Sequence, residues 1–184
     1  MNNQVGQKSG LLARLRLGSY LIDPKYARYR TSYFLQCLFV TCTMLFVLTL
    51  LDSVYQTVLI AALGSSSCVA FSGPSLRASR PRCLIGGYIV GMTVGCCLSL
   101  LAVVAGELAN VDEHSLRILL GAVAVGGAMF VMAITDTEHP PSAAIALGFV
   151  LNEWDFMTIV VVMSGICAIS LVKELVRERL IDLL

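Results

Sequence analysis

Charged residues are scarce in this chain, and their scarcity excludes an ordinary soluble protein. Only 14% of its 184 residues are charged and 57% are apolar, whereas soluble domains average about 25% charged and about 45–50% apolar residues. The mean hydropathy of +0.82 agrees with this contrast. The composition therefore predicts an integral membrane protein, and the net charge of +1 leads us to expect no nucleic-acid partner.

Patterns of metal-ligating residues are also missing. The chain has two histidines and seven cysteines, but none of them stands in a CxxC, HxxxH or HExxH spacing. The cysteines lie in apolar runs or at their edges, where we expect reduced thiols that pack against neighbouring side chains. The sequence therefore predicts no metal, no cofactor and no catalytic residues, so we do not expect an enzyme.

Six apolar segments are candidates for membrane crossings, because about 20 apolar residues span the hydrocarbon core of a bilayer. They are Ser32–Leu51, Tyr55–Ser72, Leu84–Gly106, Leu116–Thr135, Pro140–Leu151 and Phe156–Val172. The fifth is too short for a simple crossing, since a dozen residues reach only about 18 Å as a helix, so we expect residues 135–139 or a tilt to help it across. The predicted fold is an all-α polytopic membrane helix bundle of about six segments, two of them broken or short.

The basic residues predict how the bundle is oriented. Residues 1–31 form a basic, amphipathic leader, 32–172 the transmembrane domain, and 173–184 an amphipathic tail that we expect to be a solvated or interface-lying helix. Six crossings place every lysine and arginine except Arg117 on one side. By the positive-inside rule that side is the cytoplasm, so both termini are expected there and the protein in a bacterial inner membrane. Arginines of the loop 73–82 then contact lipid headgroups or, alternatively, attract anions.

Six crossings divide into two halves of opposite orientation, which is a layout of many secondary transporters. An inverted repeat of three plus three segments is therefore one hypothesis for this chain. Gly87, Gly91 and Gly95 recur on one face of the third segment, and such a stripe predicts close helix packing. Because the monomer offers little sheltered space, we also expect a homo-oligomer embedded among membrane lipids.

The first interruption of an apolar segment is Gly64-Ser65-Ser66-Ser67. Glycine weakens a helix and serine competes for its backbone hydrogen bonds, so this tract predicts a break and restart within the membrane. A restarted helix would present backbone N–H groups that favour a small anion. The alternative is an unbroken helix with a small-residue packing face.

The second interruption is His139-Pro140-Pro141-Ser142, preceded by Asp136 and Glu138. Proline suits the first turn of a helix, so the pair predicts a helix start within the membrane. Ionisable groups near membrane depth are costly and usually functional. We therefore predict that Gly64–Ser67 and His139–Ser142 form an anion-binding site, with His139 and Glu138 as proton-coupling groups. A structural cap at the membrane surface is the alternative.

These tracts carry a resemblance to a known family. Glu138-His139-Pro140-Pro141-Ser142-Ala143-Ala144 resembles the signature of the HPP family of integral membrane proteins. Gly64-Ser65-Ser66, Phe71 with Pro74, and Arg80-Pro81-Arg82 leading to Gly86-Gly87 look like its other motifs, over roughly residues 30–172. The resemblance implies four membrane helices, in conflict with the six counted above, and a nitrite-type anion permease.

The sequence thus favours a transporter for a small inorganic anion, nitrite first, with proton coupling if His139 titrates. An anion channel is the nearest alternative. A different class is an intramembrane enzyme that uses Asp136, Glu138 and His139 as acid–base or metal groups. A third is a structural or regulatory subunit that binds a partner through its glycine stripe or its terminal helices.

Overall fold

The computed structural model describes residues 30–32, 34–39, 41–43, 57–109 and 112–183. The chain divides into two compact units, residues 1–35 and 36–184, and the elements below all belong to the second. Most of the predicted leader, and much of the crossing expected from Ser32 to Leu51, lies outside the described residues. Those described between 30 and 43 are helical.

The described part of the chain is built from helices, without a β-strand. The helices are α1 (Thr57–Ser72), α2 (Pro81–Ala109), α3 (Glu113–Thr135), α4 (Pro141–Leu151) and α5 (Phe156–Val176), with short 3-10 turns at Arg77–Ser79 and Arg177–Arg179. Three apolar stretches have the length of membrane crossings, Pro81–Glu107, Glu113–Thr135 and Phe156–Arg179, and two apolar helices are shorter. The predicted all-α membrane bundle is confirmed.

Short polar signals fix the helix ends. Asp112 caps α3 by accepting the Ser115 N–H at 2.9 Å, and Asp155 begins α5 in a reciprocal capping box with Thr158. The Ser115 hydroxyl and N–H stabilise ionised Asp112, and the Thr158 N–H and hydroxyl stabilise ionised Asp155, so the pKa of each carboxyl lies below the ordinary range for aspartate. Asp136 ends α3 in the left-handed conformation, at φ 59°, which aspartate tolerates better than most residues.

Helix α4 lies at the centre of the described bundle, in contact with α1, α2 and α3. Eight of its 11 residues are buried. The glycine stripe of α2 makes this packing possible, because a Cβ atom on Gly95 would lie 2.8 Å from the Ala146 carbonyl oxygen, and one on Gly91 would overlap that of Ser142. The predicted role of the stripe in packing is confirmed for the contact of α2 with α4.

The described basic residues from Arg77 onward, except Arg117, gather at one end of the bundle. Here α2 and α4 begin and α3 and α5 end, and the Arg82 guanidinium donates to the Thr135 carbonyl at 3.1 Å. The C-terminal segment returns to the same end, where the Leu183 N–H donates to the Ser72 carbonyl at 2.8 Å. We call this region the basic end. The charge pattern predicted correctly that the loop arginines and the C-terminal basic residues share one side.

Two predictions about the elements are wrong. Helix α1 runs unbroken from Thr57 to Ser72, so Gly64–Ser67 is neither a break nor a helix start. The predicted tail helix stops at Arg179, and the described residues 180–183 are irregular. Among the described residues, a helix therefore begins at the second interruption and not at the first, and the inverted repeat stays a hypothesis.

The second interruption is a helix start, as the proline pair predicted. Helix α4 begins at Pro141 with Pro140 as its N-cap. Thr137 lies against Gly86 near the start of α2, and the Trp154 indole, beyond the end of α4, donates to the Ser99 hydroxyl at 3.1 Å. With the residues on both sides of α4, the segment 137–154 therefore runs along α2 from Gly86 to Ser99. That stretch of α2 is about 20 Å long at ~1.5 Å per residue.

Candidate functional site: a buried polar chain around His139

His139 is the polar side chain most deeply placed by the linker between α3 and α4. Its ring is fully buried, whereas Asp136 and Glu138 in the same linker are exposed. The linker is irregular and burial alternates along it, with Thr137 and His139 buried between the exposed Asp136, Glu138 and Pro140. The proline pair then turns the chain into α4. Local sequence therefore directs His139 into the bundle.

The imidazole of His139 has a hydrogen-bond partner on each ring nitrogen. Nδ1 lies 2.9 Å from the Ala78 carbonyl oxygen, and Nε2 lies 2.8 Å from the Ser66 hydroxyl of α1. Ser66 in turn lies 2.8 Å from the Tyr88 hydroxyl of α2. Tyr88, Ser66 and His139 are each fully buried. They form a continuous polar chain, which we call the His139 chain, through a largely apolar core.

Donor and acceptor roles in the neutral His139 chain follow from its ends. A carbonyl oxygen only accepts, so Nδ1 carries the proton that is donated to Ala78. Nε2 of the neutral ring must then accept from the Ser66 hydroxyl. Because Ser66 has only one proton, the Tyr88 hydroxyl donates to Ser66. Every bond of the neutral chain is satisfied in one direction, from Tyr88 to Ala78.

Two further buried hydroxyls lack a hydrogen-bond partner among the described residues, those of Ser67 and Ser142. Ser142 lies on α4 beside Gly87, whose Cβ, if present, would lie 2.7 Å from its oxygen. Buried polar groups are normally hydrogen-bonded, and an unpaired one costs about 1–3 kcal/mol. The hydroxyls of Ser67 and Ser142 are therefore buried polar groups that the described residues leave unsatisfied.

The start of α4 does not supply the predicted cradle of backbone N–H groups. Pro140 and Pro141 have no N–H. The Ser142 and Ala143 N–H groups already donate to the His139 and Pro140 carbonyls, at 2.9 and 3.1 Å. Since α1 also continues through Gly64–Ser67, the pair of opposed helix N-termini predicted to bind an anion is wrong. Side chains carry the polar character of this site instead.

The structure brings together only some of the predicted site residues. Ser66 meets His139 directly, and Ser67, Pro141 and Ser142 are buried. Ser65 and Pro140 are exposed and Gly64 is half-buried. The Glu138 carboxylate is 52% exposed and lies 3.9 Å from the Arg77 guanidinium, which also pairs with Asp136. Glu138 was predicted to act with His139 in proton coupling. The structure separates the two, because Glu138 is exposed beside Arg77 and His139 is buried.

The same geometry bears on the metal alternative. His139 turns inward while Asp136 and Glu138 turn to Arg77, so these groups do not converge on one point. Among the described residues there is no group of three or more histidine, cysteine or acidic side chains with metal-binding geometry.

Sequence reasoning missed Tyr88 and the Ala78 carbonyl. Tyr88 stands in the apolar helix α2, and a buried tyrosine hydroxyl usually needs a partner, so the residue itself was a usable signal. Its partner Ser66 lies 22 positions earlier, and no local pattern predicts that contact.

Comparison with known protein families was decisive for the class of protein. The family described as "HPP, transmembrane region" matches residues 26–180. This chain belongs to the HPP family. The match covers α1 to α5 and the His139 chain, and it confirms the resemblance of the His-Pro-Pro tract. Searches of curated proteins and of solved structures gave no significant match.

Proposed function

We propose that this HPP protein transports a small inorganic anion across the bacterial inner membrane, with nitrite as the first candidate, and that His139 couples transport to protons. Its family and its apolar helices support a multi-pass membrane protein of transporter type. The observation that carries the proposal is the His139 chain. Ionisable groups inside membrane bundles are costly and usually mark a functional site.

Protonation of His139 reverses the direction of the His139 chain. With a proton on Nε2, the ring donates to Ser66, whose own proton is then released and can be donated to Tyr88. The Tyr88 hydroxyl proton is then free to bond elsewhere. A single proton therefore adds a positive charge and releases a donor at the same place. Both changes favour an anion, and both disappear when the proton leaves.

The unpaired Ser67 and Ser142 hydroxyls add neutral donors to this arrangement. In the protonated state, the anion would meet hydroxyl groups and one compensating positive charge. Glu138 has no part in the proposed coupling, because its carboxylate is paired with Arg77 at the surface. We place the basic end on the cytoplasmic side by the positive-inside rule.

The test is uptake of labelled nitrite into proteoliposomes, with and without a pH gradient, in the natural protein and two variants. His139→Asn removes the Nε2 position while its amide N–H can still donate to Ala78. His114→Asn changes the other histidine, which is exposed at the start of α3. Insertion and a single elution peak are measured for each, so that loss of fold is distinguished from loss of transport.

We expect pH-dependent nitrite uptake in the natural protein and in His114→Asn, and uptake that is lost or no longer pH-dependent in His139→Asn. Nitrate, formate and sulfate measured alongside define the substrate. Uptake no faster than in protein-free vesicles would refute the proposed function. Equal rates and equal pH profiles for both variants would refute the role of His139.

A further inference from the structure

A second polar site lies at the basic end, and none of its lining residues belongs to the His139 chain. It is a pocket of about 530 Å³ between the loop that follows α1 and the end of α5. Its walls are formed by Pro74, Ser75, Arg80, Pro81, Arg82, Lys173, Glu174, Arg177 and Leu180. We call it the basic pocket. Segments almost a hundred residues apart in the sequence therefore build a single concave surface.

The basic pocket has an excess of positive charge. Four cationic side chains face one carboxylate, that of Glu174. Glu174 already pairs with Lys173 at 2.7 Å and with Arg177 at 3.5 Å, and Arg82 lies 3.9 Å from Asp136. The guanidinium of Arg80 has no carboxylate partner among the described residues. At the mouth, Asp182 accepts the Ser75 N–H. The pocket thus keeps uncompensated positive charge for an external anion.

Lys173 is a buried cation in the wall of the basic pocket. Only 2% of its side chain is exposed, and Glu174 is its hydrogen-bond partner. A buried cation is costly even when it is paired. The C-terminal segment is also tied to the loop by the Leu183 and Ser75 N–H bonds, at 2.8 and 3.0 Å, so the pocket is shaped by backbone contacts as well as by side chains.

The size of the pocket argues against a triatomic anion as its ligand. Water takes about 30 Å³ in the liquid, so a three-atom ion needs on the order of 60 Å³, a small part of 530 Å³. Ligand sites of about 300–1,000 Å³ bind larger molecules. Arginine guanidinium groups form two parallel bonds with phosphate oxygens, and three arginines line the walls.

We propose that the basic pocket binds a phosphate group, with Arg80 and Arg177 as its principal contacts. Phosphodiester headgroups of anionic lipids and free phosphate share this chemistry. The pocket lies where membrane helices end in a polar loop, and basic pockets at that level bind anionic headgroups in other membrane proteins. This site is separate from the His139 chain, and its test does not depend on transport of nitrite.

The experiment uses the full chain purified in a neutral detergent. Binding of short-chain phosphatidylglycerol, of phosphatidylcholine as a zwitterionic lipid, and of inorganic phosphate is titrated by calorimetry at constant ionic strength. The variants are Arg80→Gln, which removes an exposed cation without a carboxylate partner, and Arg80→Gln combined with Arg177→Gln. Arg179→Gln is the matched control, because Arg179 is exposed and lies outside the pocket.

We expect saturable binding of phosphatidylglycerol or of phosphate, weakened about tenfold by Arg80→Gln and further by the double change, but unchanged by Arg179→Gln. Binding of phosphatidylglycerol without free phosphate identifies a lipid site, and binding of both identifies a general phosphate site. If neither ligand binds, or if Arg179→Gln weakens binding as much as Arg80→Gln, the proposal is overturned. Nitrite uptake is read separately, so failure here leaves the transport proposal intact.

Discussion

The contact between Gly91 of α2 and the Ser142 carbonyl of α4 gives a quantitative test of the packing. A Cβ atom added at Gly91 would overlap this carbonyl oxygen. The neighbour is backbone at the buried start of α4, so it has little freedom to move. Gly91→Ala therefore forces the two helices apart, or distorts the start of the helix that follows His139.

Two opposing terms set the expected magnitude. Alanine is favoured over glycine within a helix by about 0.5–1 kcal/mol. Overpacking typically costs about 1–3 kcal/mol, and we take the upper half of this range because the obstructing atom is backbone. The net expectation is a loss of ~1–2.5 kcal/mol in the free energy of unfolding. Gly126→Ala in α3 is the matched control, because a Cβ there meets nothing within 4 Å, and it should be neutral or stabilising by up to ~1 kcal/mol.

The assay is unfolding in mixed micelles at increasing SDS fraction, followed by tryptophan fluorescence. Trp154 is the single tryptophan. It packs against Phe149 of α4, with ring centres 5.6 Å apart, and bonds Ser99 of α2, so its emission reports the contact between these two helices. If Gly91→Ala unfolds at the same SDS fraction as Gly126→Ala or at a higher one, the close packing of α2 on α4 is refuted.

Two other predictions test the polar chain and the orientation. Ser66→Ala should lower the free energy of unfolding by about 1–3 kcal/mol for each buried partner left unpaired, on Tyr88 and on His139. Ser65→Ala is the control and should change it little, because Ser65 is exposed. Equal effects of the two changes in the SDS assay would contradict the hydrogen bonds of the His139 chain. In a cysteine-free background, Ser75→Cys and Asp182→Cys should react with an impermeant maleimide from the same side of the membrane, because the two residues are hydrogen-bonded to each other. Glu153→Cys should react from the opposite side. Labelling of all three from one side would contradict this orientation.

Local chemistry made the second half of the bundle predictable. The proline pair places the start of α4, and the glycine stripe of α2 indicates close packing, because both act through the backbone of neighbouring residues. The basic residues in 77–82 and in 173–179 were predicted to lie on the same side of the membrane. This prediction needs only their positions relative to the apolar segments, because it uses the positive-inside rule. These features needed no knowledge of long-range contacts.

The role of the Gly64–Ser67 tract could not be predicted from its sequence. Serine weakens a helix when its hydroxyl competes for backbone bonds. Ser66 uses its hydroxyl for Tyr88 and His139 instead, so α1 continues without a break. Whether a serine bonds to its own helix or across the bundle depends on partners 22 and 73 positions away. The basic pocket was unpredictable for the same reason, because it needs the C-terminal segment to return to the loop after α1.

In the linker before α4 the two carboxylates are exposed, whereas the histidine is buried. This difference decides which group we propose for proton coupling. Asp136 and Glu138 are 55% and 52% exposed and face Arg77, while Thr137 and His139 are buried. A charged carboxylate in an apolar core is costly, whereas histidine can be buried in its neutral form and gain a charge only when a proton arrives. In the proposed function the coupling proton is therefore carried by His139 and not by Glu138. It follows that Glu138→Gln should leave the pH profile of uptake unchanged under conditions in which His139→Asn removes it.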